Sequence, residues 1–138
     1  MECSNCLNYN IQKFKYDYNK LSNSINMIFT CDKCNYDTEC VLHIKSHRKK
    51  EYHIPGYNNC GPGTDVIYNI RNDILPRNET DVHCFFHDIA YYIYKDKERR
   101  KKADKILYKN LLNLKKPHSI SIPIINAILK IKMINNMY

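Results

Sequence analysis

Tryptophan is absent from this chain, glycine occurs only three times in 138 residues, and no apolar run is long enough to cross a bilayer. The most apolar stretch, Ile120 to Ile134, is broken by Pro123, Asn126, Lys130 and Lys132. A spanning helix needs roughly 20 apolar residues, so no transmembrane segment is expected. Met1 to Cys6 has neither the basic start nor the apolar centre of a secretory signal, and no export address is read there. Internal repeats and low-complexity tracts are missing too. The length fits one domain with a modest core and a small metal-held appendage, so no multidomain machine is expected.

The scarcity of glycine and tryptophan beside abundant Asn, Ile, Lys and Tyr is the composition of an AT-rich genome and says nothing of mechanism. Acidic residues are also in deficit, 14 against 22 Lys and Arg, giving a formal charge of +8. Such an excess favours an anionic partner, and nucleic acid or an anionic bilayer satisfies it equally.

The seven cysteines cannot all pair. Cys3-x2-Cys6 and Cys31-x2-Cys34 form two knuckles, Cys60 and Cys84 stand apart, and Cys40 is left over. Two knuckles on a short β-ribbon present four thiolates tetrahedrally to zinc. A second set stays open: Cys31, Cys34, His43 and His47 have the spacing of a shortened Cys2His2 finger whose helix would begin near Leu42. Phe29 and Tyr36, flanking the second knuckle, read as a small ribbon core. Alternation of polar and apolar residues over 11–16 and 25–29 predicts two or three short strands. A β-rich unit is therefore expected over residues 1–50, closed by the basic stretch Lys45 to Lys50, and a second unit over 51–138.

All three glycines fall within residues 55–64, where the backbone needs positive φ or close approach to a ligand. A connecting region leads to Asn78, an N-cap with Asp81 three residues on, so a helix is expected over about 79–94. Past a charged connector from Lys95 to Lys102, apolar residues at helical spacing predict a second helix over roughly 99–115, stopped by Pro117. A third helix after Pro123, apolar on most sides, would cover the other two or anchor at an interface. The basic runs Lys45–Lys50 and Arg99–Lys105 read as solvated faces or as seats on anionic lipid.

Chemistry concentrates on the first long helix, where Cys84, His87, Asp88 and Tyr91 lie three and four apart and share a face. Ester hydrolysis needs a base to take a proton from water and an electropositive centre on the carbonyl oxygen. A neutral imidazole at His87 meets the first need. A calcium ion, held by Asp88 and by carbonyls of a turn built on Gly61 and Gly63, meets the second. Asp104 on the following helix is placed to fix the imidazole tautomer, and the Tyr91 hydroxyl to hold that carboxylate.

These residues resemble the secreted phospholipases A2, and more closely their parvovirus capsid-type branch. Pro55-Gly56-Tyr57-x3-Gly61-Pro62-Gly63 is similar to that branch's calcium loop. Pro76-x-Asn78-x2-Asp81-x5-His87-Asp88-x-Ala90-Tyr91 is similar to its active-site helix, and Ala103-Asp104 to the opening of the next. The resemblance implies a mainly α catalytic domain behind a zinc-ribbon-like unit. It implies calcium ligated by Asp88 and the carbonyls of Asn59, Gly61 and Gly63, with His87 as base, Asp104 as its partner and a Cys60–Cys84 disulfide. The implied reaction is hydrolysis of the sn-2 ester of phosphoglycerides, with a phospholipid membrane as substrate partner. Asn59 departs from the family's usual tyrosine, but only its backbone oxygen is used. The rival reading is a zinc-ribbon nucleic-acid-binding module carrying a retired enzyme; an intact calcium loop, base and base-orienting aspartate argue against it.

Overall fold

A computed structural model describes residues 3–6, 11–44, 54, 56–61, 64–114 and 121–135. Three strands, β1 (Ile11–Asn19), β2 (Ser24–Cys31) and β3 (Asp37–His43), form an antiparallel meander in that order. Asn23, at φ 49°, turns the chain from β1 into β2. Asparagine tolerates this left-handed backbone better than most residues. Along β2 the side chains of Ile25, Met27 and Phe29 are buried while Asn26 between them is exposed. That period of two gives the sheet one apolar face.

Four helices follow: α1 (Val66–Arg71), α2 (Glu79–Ile93), α3 (Lys97–Leu112) and α4 (Ser121–Ile134). The protein is thus mixed helix and sheet, a small β-rich N-terminal unit followed by helices, in line with the expected order. α1 lies in what reads from sequence as a connector; it is one and a half turns long, capped by the Asp65 side chain accepting from Tyr68 N at 2.9 Å. β3 occupies the segment that a Cys2His2 finger would need as helix, so Leu42 and His43 are strand residues. α3 begins at Lys97, inside the expected charged connector, because Asp96 caps it by accepting from Arg99 N at 2.9 Å. The expected stop at Pro117 lies outside the described residues, as does the basic stretch Lys45–Lys50.

α2 is the wall between two apolar clusters. On one side Phe85 and Ile89 join Val66, Ile67 and Ile70 of α1 and Ile25, Met27, Phe29 and Leu42 of the sheet. Phe14 seals this junction, its ring 5.0 Å from that of Phe85 and 5.1 Å from that of Phe86. Burying each such aromatic contributes about 2–3 kcal/mol. On the other side Cys84 joins Tyr57, Cys60, Leu107, Leu111, Ile125 and Leu129, which brings α3 and α4 against the glycine loop. α4 buries Ile125 and Leu129 but leaves Ile128, Ile131 and Ile134 exposed. Among the described residues no helix is long and apolar enough to cross a membrane.

Candidate active site

Asn78 starts α2 by accepting from Asp81 N at 3.0 Å, and Asp81 is thereby fixed with its carboxylate turned away from the helix. That fully buried carboxylate accepts from Asn59 N at 2.7 Å, Asn58 N at 2.9 Å and Arg77 N at 3.0 Å. From α1, buried Asn69 donates through Nδ2 to the Asn58 carbonyl and to Asn59 Oδ1, each at 3.0 Å. The loop is closed on itself by Ile54 N donating to the Cys60 carbonyl at 2.9 Å. Cys60 is joined to Cys84 by a disulfide with its Cα atoms 5.3 Å apart, one helical turn before His87. Gly61 has φ +153°, a backbone conformation open to glycine alone. Its carbonyl accepts from the Thr64 hydroxyl at 3.0 Å, which leaves a second lone pair. Gly63 lies outside the described residues.

The imidazole of His87 sits between two carboxylates. Nε2 is 2.6 Å from Asp104 Oδ1 and Nδ1 is 3.2 Å from Asp88 Oδ1. Asp104, fully buried on α3, also accepts from the Tyr91 hydroxyl at 2.8 Å. Its Oδ2 faces Lys132 Nζ of α4 at 3.1 Å, an ion pair. Lys132 additionally hydrogen-bonds the Tyr91 hydroxyl and lies 4.0 Å over the Tyr91 ring centroid. Burial pushes the Asp104 carboxyl up, but hydrogen bonding and charge from His87, then Tyr91 and Lys132, outweigh it and hold it below the usual range. Burial pulls His87 down, yet hydrogen bonds to Asp104 and Asp88 and their charges leave it above its ordinary value.

Asp88 behaves differently. Burial carries its carboxyl above the usual range despite His87, and its Oδ2 is buried with no hydrogen-bond partner. An orphaned carboxylate oxygen on the helix to which the Asn59–Gly61 loop is tied is what a hard cation with oxygen ligands requires, so Asp88 fits calcium. His87, Asp88, Tyr91 and Asp104 are therefore gathered in one place, with the Asn59–Gly61 loop tied alongside by Asp81 and the disulfide.

A second cluster lies at the end of the sheet. The sulfurs of Cys3, Cys6, Cys31 and Cys34 all fall within 4.8 Å of one another. Cys3 Sγ to Cys34 Sγ and Cys6 Sγ to Cys31 Sγ are each 3.6 Å. Thiolates at zinc–sulfur distances of about 2.3 Å in a tetrahedron stand about 3.8 Å apart, so the four can hold zinc. His43 is exposed on β3 and no part of this cluster, and His47 lies outside the described residues. Phe29 is buried as the ribbon core requires, whereas Tyr36 is half exposed and contributes its carbonyl, which accepts from Cys31 N at 3.0 Å.

The sequence model of the phospholipase A2-like domain family matches residues 50–132, more than half the chain. The chain belongs to that family. No curated protein and no solved structure gave a significant match. Membership in the phospholipase A2-like domain family implies a lipolytic hydrolase with a lipid substrate, and the matched span contains the loop, both carboxylates of the histidine and Lys132. Two contributors to this site escape a reading by motif, and a third, Asp81, stands in the motif without its part in the loop being legible there. Asp81 reads as a helix cap, yet its carboxylate serves the loop. Asn69 signals itself only as a polar residue within the apolar run Val66-Ile67-Tyr68-Asn69-Ile70. Lys132 signals itself by spacing, seven residues after Ile125 and three after Leu129.

Proposed function

We propose that the protein is a calcium-dependent phospholipase A2 that hydrolyses the sn-2 ester of phosphoglycerides to a fatty acid and a lysophospholipid. The observation that carries this reading is the imidazole of His87 held at 2.6 Å by Asp104 with its other nitrogen facing Asp88. A neutral imidazole carries one ring proton, and the short contact to an ionised carboxylate keeps it on Nε2. Nδ1 then carries the lone pair that takes a proton from water once its 3.2 Å contact with Asp88 Oδ1 is given up. His87 takes the proton of that water as it attacks the ester carbonyl, and returns it to the departing glyceride oxygen. Asp104 stabilises the imidazolium formed in between, and Tyr91 holds Asp104. Calcium bound by Asp88 and the carbonyls of Asn59, Gly61 and Gly63 would supply positive charge opposite the oxyanion.

The zinc reading extends this one. We infer a structural zinc on Cys3, Cys6, Cys31 and Cys34, and a membrane-facing role for the basic residues that open α3. The motif order of the capsid-type branch supports a viral enzyme acting on membranes. The four-thiol cluster and the charge of +8 also favour a second reading, a zinc-ribbon nucleic-acid binder with an inactive lipase-like part.

Hydrolysis of dispersed phospholipid, with calcium withheld and restored at constant free zinc, separates the readings. The phospholipase reading expects turnover only with calcium. Asp88→Ala should lose calcium binding and turnover together, and His87→Gln should lose turnover while still binding calcium. Full activity without calcium, or equal calcium affinity in both variants, would sink the assignment. Salt-dependent binding to nucleic acid with no hydrolysis would establish the second reading.

A further inference from the structure

We propose that Lys132 is a positioning residue of the active site: from α4 it clamps the Asp104 carboxylate so that Oδ1 stays aimed at His87. The proposal rests on the catalytic reading of His87 and Asp104 and adds a member that the motif does not contain.

Ile125, Leu129 and Lys132 fall at spacings of four and three, so they share the face by which α4 packs. Ile125 and Leu129 are buried in the cluster that holds Cys60 and Cys84, whereas Lys130, off that face, is exposed. Lys132 is 24% exposed at its side chain, and its ammonium is turned in towards the site. The packing that docks α4 therefore delivers a cation to one defined place.

What it meets there is one of two carboxylates, with Asp81, that are fully buried among the described residues. Asp104 has no exposed surface, and a buried anion must be neutralised or hydrogen-bonded throughout. His87 and Tyr91 both address Oδ1, at 2.6 and 2.8 Å. Oδ2 makes no hydrogen bond and has Lys132 Nζ as its ion-pair partner at 3.1 Å, while that cation donates to Oδ1 at 3.4 Å. The same ammonium reaches the Tyr91 hydroxyl and covers the face of its ring. Lys132 thus holds both the carboxylate that orients the base and the phenol that steadies the carboxylate.

Lys132→Met keeps the length and removes the charge, while Lys132→Arg keeps the charge. Kinetics on monomeric short-chain phosphatidylcholine at saturating calcium avoid any contribution from membrane binding. A thermal melt confirms folding, and Lys132→Gln replaces Lys132→Met if the latter does not fold. The uncharged variant should lose kcat by about ten- to a hundredfold, as expected for a misplaced catalytic group, with KM within about twofold, and Lys132→Arg should recover most of the loss. A second readout is independent of turnover: the downfield proton resonance of His87 Nε2–H, identified by its absence in His87→Gln, should move upfield in the uncharged variant and return in Lys132→Arg. A kcat within twofold of the parent, or an unmoved resonance, overturns the proposal. If the parent protein hydrolyses no phospholipid, the enzymatic reading falls, and the resonance alone decides whether Lys132 governs the contact between Asp104 and His87.

Discussion

An acidic residue in the first turn of a helix ordinarily does little more than complement the helix dipole, but Asp81 also accepts from three backbone N–H groups, two of them in the candidate calcium loop. Its removal would leave those donors without a partner in a dry setting, each a loss on the order of 1–3 kcal/mol. Asp81→Ala should therefore lower unfolding free energy by about 3 kcal/mol or more in urea titration, and weaken calcium binding though Asp81 is no ligand. Unchanged calcium affinity in a folded variant would show that the loop keeps its shape unaided. Asp104 makes a different kind of contribution. Its carboxyl is held below the ordinary value of about 3.9, so the stability it confers is present above that pH and is lost as pH falls through the lowered folded value. Asp104→Asn should accordingly be less stable at neutral pH, by about 3 kcal/mol for a broken buried pair, and should lose less on acidification than the parent. Urea midpoints measured at neutral and strongly acidic pH check both the size and the sign.

Elements were legible in the sequence wherever a local signal and the tertiary demand coincided. α2 is the clearest, because the Asn78 cap, the acidic first turn and the His87, Asp88, Tyr91 face all point the same way, and the helix runs Glu79–Ile93 against an expected 79–94. α3 begins earlier than expected because Lys95 to Lys102 reads as a charge run that masks the Asp96 cap. α1 was invisible, since six residues rich in β-branched side chains carry no helical period; it forms because Val66, Ile67 and Ile70 pack on the sheet and α2. The order of motifs picked out the candidate site, but the hydrogen bonds of Asn69 and the ion pair of Lys132 arise from packing between distant elements, which no local pattern encodes. The disulfide belongs to this scale as well, since it ties the loop to α2. Closing a loop of sequence separation 24 stabilises by about 3 kcal/mol in the chain-entropy model. Reduction, or Cys60→Ser with Cys84→Ser, should lower the urea midpoint accordingly and reduce calcium affinity. Mass spectrometry after alkylation without reductant tests the bridge directly: labelling of both Cys60 and Cys84 as free thiols would show that packing alone holds the loop.

At the scale of the whole molecule, the sheet and the helices share one apolar cluster, and the face of α2 opposite His87 is where they meet. The chain of contact is short. Cys31 closes β2; Phe29, two residues earlier, lies 6.1 Å from the ring of Phe86; and Phe86 precedes His87. The four-thiol cluster at the end of the sheet is therefore mechanically behind the candidate base, although it holds none of the candidate catalytic residues. Structural zinc sites of this kind supply apparent binding free energies of about 10–16 kcal/mol, comparable to the whole stability of a small domain, about 5–15 kcal/mol. Losing the metal should loosen the knuckles and the strand ends, and with them the support for Phe14, Phe29 and Phe86 along the back of α2. Cys3→Ser is the test, because Cys3 is buried in the cluster and far in sequence from every candidate catalytic residue. Metal analysis of the parent should give one zinc per chain and of the variant none. The variant should also melt at lower temperature and hydrolyse phospholipid several-fold more slowly at saturating calcium. A variant that binds no zinc yet melts and turns over like the parent would mean that the helices hold His87 without help from the sheet.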